Sequence, residues 1–394
     1  MRILYLCQRV PYPPDRGDRI PVYHHLRWLG GRHEVVVGTL AHPGTRANAE
    51  SLGRGLGVKV LAPAHSRRNQ ALGMAAAFLR GMPLSLGYFH NTLLHGAVRA
   101  EHAAKSFDAV IAFSSSMAQY AEGLDRTPRI MDFCDVDSRK WEALAREASG
   151  VRRRVYRYEC RTLLAYERKV AATFDASCVV SENEARLFRE LIPGVPVRVL
   201  ENGVDADYFG ALPRRPDGVR IVFTGVMDYA PNVEAVSFFA DRVWGRIRQA
   251  HPHARFAIVG ARPVKSVRDL GRLPGVEVTG YVPDIRPHLA SATVSVAPLA
   301  VARGVQNKVL EAMAAGVPVL TTADVAKGLP AGAESLVSTA RREAEAFAGK
   351  LLELVGDEAA RERLAAQAQG FIRGRCTWEA RLQTLDALLA EVVR

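Results

Sequence analysis

Two cations and a carboxylate stand close together in Arg303-Gly304-Val305-Gln306-Asn307-Lys308-Val309-Leu310-Glu311, a run that continues to Gly316. Guanidinium and ammonium groups pair with phosphate oxygens, and a carboxylate accepts hydrogen bonds from sugar hydroxyls. The flanking pattern predicts how the three are held. An apolar strand over 293–297 leads into a short loop, a helix begins near Gly304 and stops at Gly316, and 317–320 forms the next buried strand. Arg303, Lys308 and Glu311 then lie at the carboxyl edge of a parallel sheet, where open α/β sheets bind ligands and helix-start amides favour anions. The alternative is an ordinary solvated helix. The clustering of these charges at a ligand-binding edge favours the site.

Three other groups carry possible chemistry. Gly17-Asp18-Arg19 precedes a helix starting at Ile20: the glycine allows close backbone approach, Arg19 offers a fork to phosphate, and Asp18 either caps the helix or meets a hydroxyl. Thr224-Gly225-Val226-Met227, with Pro231-Asn232 behind it, offers backbone donors to a phosphate but no cation. Asp135-Val136-Asp137 invites Mg²⁺ or Mn²⁺, yet capping of the following helix by Asp137 is the simpler explanation. Neither a dinucleotide fingerprint nor a P-loop is present, which argues against a dehydrogenase or an ATPase.

The elements around these groups alternate. Strands are expected over 2–7, 34–40, 58–62, 108–113, 129–133 and 176–180, with helices at 20–29, between the fourth and fifth strands, over 137–174, and from a Ser181 capping box to Leu191. Residues 69–86 are rich in Ala, Leu and Met with few charges: a packed helix or a surface dipping into lipid. Residues 201–218, with Pro213, Pro216 and Gly218, break the pattern as a linker. A second series follows at 220–224, 254–259, 276–279, 293–297 and 317–320, and the chain closes in helices. The result is α/β: two doubly wound parallel sheets. The expected division is 1–205, 206–372, and a last helix, 373–394, packing back on the first domain. A length of 394 residues fits two cores.

A net charge of +12 points to anionic partners. Within 146–169, eight basic residues face three acidic ones, with Tyr156, Tyr158, Leu163, Leu164 and Tyr166 interleaved. Such a stretch suits an anionic leaflet as well as it suits a solvated helix with one face on the core. No recognisable nucleic-acid module organises the charge, so nucleic acid is not an expected partner. Five scattered cysteines without a CxxC pair indicate reduced thiols and no zinc site. With no signal-peptide core and no spanning apolar run, the expected location is cytoplasmic, with peripheral contact to the inner face of the membrane.

These residues resemble the family 4 glycosyltransferases, which have the GT-B fold of two Rossmann-like domains facing across a cleft. The resemblance rests on GVQNKVLEAMAAGVPVL over 304–320, on Phe223-Thr224-Gly225, Val259-Gly260 and Gly280-Tyr281-Val282-Pro283-Asp284, and on Asn202-Gly203-Val204-Asp205 at the crossing between domains. Residues 11–19, 135–141 and Asn307-Lys308 resemble a subgroup of sugar transferases tied to exosortase-associated exopolysaccharide loci. The family implies transfer from a nucleotide-sugar to a hydroxyl acceptor, a glycan or a lipid-linked one, with retention and neither metal nor other cofactor. It implies a donor site of Thr224, Gly225, Val282, Gly304, Asn307 and Glu311, with Glu311 on the ribose. Arg303 and Lys308 would stabilise the departing diphosphate, and Gly17, Asp18, Arg19 and Asp135 would lie on the acceptor side.

This chain departs from the family in three places. The first glutamate of the family's E-x7-E element is Arg303 here, which would carry diphosphate charge or pair with an acidic sugar. The basic pair of the first loop in the second domain is replaced by Val226-Met227 and Pro231-Asn232. Ser114-Ser115-Ser116 occupies the region of a catalytic histidine, so no general base is assigned. A nucleotide-sugar epimerase, a phosphorylase, or a nucleotide-sugar-binding protein with weakened catalysis are the competing readings.

Overall fold

The computed structural model describes residues 1–15, 17–124, 126–300 and 305–393. The chain divides into two compact units, Met1–Glu201 with Leu382–Arg394, and Asn202–Arg381. The second boundary falls inside the helix Trp378–Val392.

Among the described residues, the first unit holds seven parallel strands: β1 (Arg2–Leu6), β2 (Glu34–Gly38), β3 (Lys59–Leu61), β4 (Ala109–Phe113), β5 (Arg129–Cys134), β6 (Ala176–Val179) and β7 (Arg198–Val199). Their order is β3-β2-β1-β4-β5-β6-β7. Strands covered on both faces read as unbroken apolar runs, and β1 and β4 are buried at every residue. The order reverses between β1 and β4, so the ligand crevice of this sheet lies beyond their carboxyl ends. Trp28 Nε1 donates to Asp386 Oδ1 at 2.9 Å, fastening the terminal helix within this unit.

The second unit holds β8 (Arg220–Thr224), β9 (Arg255–Val259), β10 (Val276–Gly280), β11 (Val294–Ala297), β12 (Val319–Thr321) and β13 (Ser338–Thr339) among the described residues, in the order β10-β9-β8-β11-β12-β13. Its reversal lies between β8 and β11. The aromatic centre of its core is Phe239, in ring contact with Phe256 at 4.5 Å and with Phe347 at 6.2 Å, all three fully buried. Each such side chain stabilises the unit by roughly 2–3 kcal/mol.

Several local expectations need correction. The two-residue strands β7 and β13 are too short to leave a periodic signal. The segment after β4 is a 3-10 helix, Ser115–Ala121. The long helical region is broken into Asp137–Glu147 and Gly150–Thr173, with Ser149 as N-cap of the second helix. Residues 69–86 divide into the helices Arg67–Leu79 and Leu84–Tyr88. The helix after β11 spans Asn307–Ala314, and Gly316 at φ +69° turns the chain into β12.

Candidate donor site at the reversal of the second sheet

The reversal between β8 and β11 brings two connections together. β8 runs out into Gly225, and β11 leads to the helix Asn307–Ala314. A Cβ placed on Gly225 would stand 2.7 Å from Asn232 Nδ2 and 3.4 Å from Lys308 Cε, so these three residues meet at one point. Gly225 has φ +156°, and the neighbouring β9 is followed by Gly260 at φ +152°, where a Cβ would fall 1.7 Å from Gly225 O. The two strand ends touch backbone to backbone, which only glycine permits.

Lys308 and Glu311 lie three residues apart on this helix, close enough to share a face. The Lys308 ammonium lies 3.2 Å from Gln306 Oε1 and 5.5 Å from the centre of the Phe223 ring. The side chain keeps some exposed surface, but its charged end is enclosed. Burial lowers its pKa to about 8, against the opposing charge of Glu311. Burial likewise raises the Glu311 carboxyl to about 7, with Lys308 pulling the other way. Glu311 makes no hydrogen bond or ion pair with its side chain among the described residues. A half-buried carboxyl without a partner among the described residues, beside a half-buried ammonium, each disfavoured by desolvation, is costly unless a ligand completes the set.

Three other polar atoms here lack partners among the described residues. Asn232 Nδ2 donates to Val226 O at 2.9 Å, which fixes the amide and leaves Oδ1 buried without a described partner. Thr224 Oγ1 and Asn307 Oδ1 are also buried without a partner among the described residues. Each such atom costs roughly 1–3 kcal/mol if it stays unmatched. Val282 follows β10 and packs partly buried against the core of this unit, in a loop braced by Asp284 and Arg286 at 2.7 Å. Arg303 and Gly304 lie outside the described residues.

The first unit gives a different picture. Around Gly17 an added Cβ would meet nothing within 4 Å. Asp18 does not cap the helix at Ile20: the N-cap is Arg19, without a side-chain bond, and Asp18 pairs with Arg9 at 3.1 Å. Arg19 is held by Asp15 at 2.9 Å. Asp137 is not a cap either, since it is the first residue of its helix and Val136 precedes it. Burial, with a contribution from the charge of Asp135, raises Asp132 to about 7 and Asp137 to about 6. No group of three or more His, Cys, Asp or Glu that could hold a metal ion occurs among the described residues.

Residue-by-residue reading missed two features at the reversal of this sheet. Gln8, just past β1, donates at 2.8 Å to both Ser114 Oγ and Ser116 Oγ past β4, and Ser114 is held at φ +71°. His42, beyond β2, is pushed down to about 4 by burial and by Arg9. Nothing in the types of Gln8 or His42 marks them. Asn232 does carry a signal, its place at the helix start after β8, but an uncharged amide in place of a cation does not by itself mark a site.

A family model for glycosyl transferases group 1 matches residues 218–357. Those residues are a group 1 glycosyltransferase domain. No curated protein matches the chain at a significant level. Among solved structures, Anabaena HepE crystallised with UDP and glucose superposes with a TM-score of 0.69 at 16% identity, covering 99% of each chain. Sucrose-phosphate synthase from Thermosynechococcus elongatus gives 0.69 at 15% identity, with 99% of each chain covered. WaaG, a glycosyltransferase of lipopolysaccharide biosynthesis, gives 0.68 at 18% identity, covering 98% of this chain and 99% of that one. The fold of the chain is thus GT-B, two parallel-sheet α/β domains. The group 1 domain covers β8 to β13 and contains the β8–β11 reversal with every described residue of the site.

Proposed function

We propose that the chain is a glycosyltransferase that moves a hexosyl group from a nucleotide-sugar to a hydroxyl acceptor, with retained anomeric configuration. The observation that carries this is the half-buried pair Lys308 and Glu311 among buried acceptor atoms that have no partner among the described residues at the β8–β11 reversal. A donor would complete the set. Its diphosphate takes the Lys308 ammonium and the free amides at the start of the helix Asn307–Ala314. Its ribose donates to Glu311, and its remaining hydroxyls and N–H groups meet Asn232, Asn307 and Thr224. The bond from the anomeric carbon to the diphosphate oxygen breaks and the acceptor oxygen bonds to that carbon. The acceptor proton passes to the departing diphosphate. Lys308 lowers the barrier because the developing negative charge falls beside it in an enclosed site.

Arg303 supplies a second cation in this reading, and no resident metal is needed for the charge. Unchanged donor binding and turnover in Arg303→Ala would remove it from the site. Gly17, Asp18, Arg19 and Asp135 are assigned to the acceptor side. The acceptor is a growing exopolysaccharide or a lipid-linked glycan, handled at the cytoplasmic face of a membrane. No helix among the described residues is long and apolar enough to cross one. HepE holds UDP-glucose, which supports UDP-sugars as the first donors to try. The test is a thermal-shift series with UDP-, GDP-, ADP- and dTDP-sugars. A ligand at ~100 times its Kd adds about 2.7 kcal/mol of apparent stability. One nucleotide family should raise the melting temperature, and no shift with any of them overturns the reading.

A further inference from the structure

We infer that the helix Arg67–Leu79 and the first turns of the helix Gly150–Thr173 form one docking surface for a bilayer rich in anionic lipid. The helix Arg67–Leu79 is apolar, yet Ala77 is its one buried residue. It packs through a narrow strip: a Cβ on Gly87 would lie 2.2 Å from Gly73 O and 2.7 Å from Ala77 Cβ. Gln70, Gly73 and Met74 are half-buried and the remaining positions are exposed, with Leu72 61%, Phe78 59% and Leu79 84% exposed. Large aliphatic and aromatic side chains clustered in this way mark a surface that something else covers.

The second helix continues that surface. Its fully buried residues begin at Glu159; before it Tyr156 and Tyr158 are half-buried while Val151, Arg152, Arg153, Arg154, Val155 and Arg157 are exposed. Phe78 and Tyr158 are in ring contact at 5.3 Å, and the Tyr158 hydroxyl donates to Met82 O at 3.1 Å. Glu159 accepts from Leu84 N at 2.6 Å and Ser85 N at 2.9 Å, locking the junction. Val151 and Val155, seven and three residues before Tyr158, share its helical face and are 74% and 41% exposed. Around this apolar ground stand Arg80, Arg152, Arg153, Arg154 and Arg157, whose side chains make no ion pair or hydrogen bond among the described residues.

Apolar side chains ringed by unpaired arginines match a bilayer with anionic headgroups: the chains enter the acyl boundary and the guanidinium groups stay at phosphate level. A second copy of the chain fits poorly, because a two-fold contact on this patch would set its arginines against themselves. A nucleic acid would use the cations but leave the apolar residues exposed. The purpose of the surface, delivery of a lipid-linked acceptor, rests on the reading above. Its test does not, since loss of vesicle binding leaves the nucleotide-sugar thermal shift untouched.

The test is co-sedimentation of the full chain with phosphatidylcholine vesicles, with and without about one third phosphatidylglycerol. The wild type should prefer the anionic vesicles and detach in high salt. The variant Arg152→Gln/Arg153→Gln/Arg154→Gln should lose roughly fivefold in partition per arginine. The variant Leu72→Ser/Leu79→Ser should lose roughly tenfold or more on the same vesicles, with little change in melting temperature because these side chains are exposed. Equal binding to both vesicle types, or an apolar variant that binds like the wild type, overturns the inference. So does a concentration-dependent oligomer that the apolar variant dissociates while no vesicles are bound.

Discussion

The two sheets reverse their strand order at equivalent places, β1–β4 and β8–β11, and the polar groups beyond the two reversals behave differently. In the first unit the charged groups are paired, Arg9 with Asp18 and Arg19 with Asp15, and Gln8 bonds Ser114 and Ser116, although Arg19 Nε and His42 Nε2 are buried without a partner among the described residues. In the second unit, among the described residues, the Glu311 carboxyl has no hydrogen-bond or ion-pair partner, the Lys308 ammonium bonds Gln306 alone, and single oxygens of Thr224, Asn232 and Asn307 are buried without a partner. Fold rules alone nominate both edges as ligand sites. Satisfaction of the charges separates them: those of the first edge are ion-paired, whereas no ion pair of Lys308 or Glu311 occurs among the described residues, an arrangement that would suit a ligand carrying donors and negative charge.

The largest expected effect is on Lys308. Its replacement by alanine removes the described cation nearest Gly225, and kcat should fall roughly 10²–10³-fold, the usual cost of losing one charge-stabilising group. Steady-state kinetics with the donor found by thermal shift gives the answer. A loss below about threefold would mean that the second edge is no more a reaction centre than the first, and the contrast would fail.

Gly260→Ala comes next and tests the scaffold. The new methyl would collide with Gly225 O in a backbone conformation that alanine resists. A stability loss of roughly 3 kcal/mol or more is expected, read by chemical denaturation, together with weaker donor binding as Gly225 shifts. Gly17→Ala, with open space around it, should cost under about 1 kcal/mol.

Much of this could be read from residue order. The alternation of apolar runs with helical segments was enough for two parallel sheets, and Gly316 and Val317-Pro318 announced the end of the helix that carries Lys308 and Glu311. Strands of two residues have no period, so β7 and β13 were invisible. The caps assigned to Asp18 and Asp137 failed for a different reason: an acidic residue near a helix start can pair with a nearby arginine, as Asp18 does with Arg9, or enter the first turn, as Asp137 does. The idle oxygen of Asn232 follows from a hydrogen bond to Val226 O that no spacing rule encodes. Whether 69–86 was packed or exposed also depended on tertiary contacts. Its composition suited both, and the structure divides it: the helix Arg67–Leu79 rests on a narrow strip at Gly73 and Ala77 and is mostly exposed, while Leu86 beyond it is buried in the core.

Glu311 gives an effect of intermediate size with two signs. Donor affinity should peak between about 7 and 8, since binding uses the Glu311 carboxylate and the Lys308 ammonium, whose pKa values are about 7 and about 8. Glu311→Gln should weaken the donor by roughly tenfold or more and abolish the acid limb of that profile. Stability runs the other way. The folded state raises the Glu311 pKa from 4.5 to about 7, so its protonated form is favoured by folding and that contribution is lost as pH rises through 7. Glu311→Gln should therefore melt above the wild type at pH 8, with the advantage fading towards pH 4. A stabler and weaker enzyme is what a site under ligand-directed strain produces. Titration calorimetry and melting curves across this range test both signs.

The smallest expected effect is the most exacting check on the contrast. Asp18→Asn breaks an exposed pair with Arg9, an interaction worth at most about 1 kcal/mol. If the first edge serves only the acceptor, donor Kd should stay within about threefold of the wild type, while acceptor KM moves by a few-fold. The released guanidinium of Arg9 is then free to meet an acceptor oxygen, so the direction of the KM change tells whether the pair holds Arg9 ready or holds it back. A tenfold change in donor Kd would instead mean that charges satisfied within the first unit still act on the donor. Satisfaction would then be a poor guide to which edge binds it, and the assignment of the donor to the second edge would need other grounds.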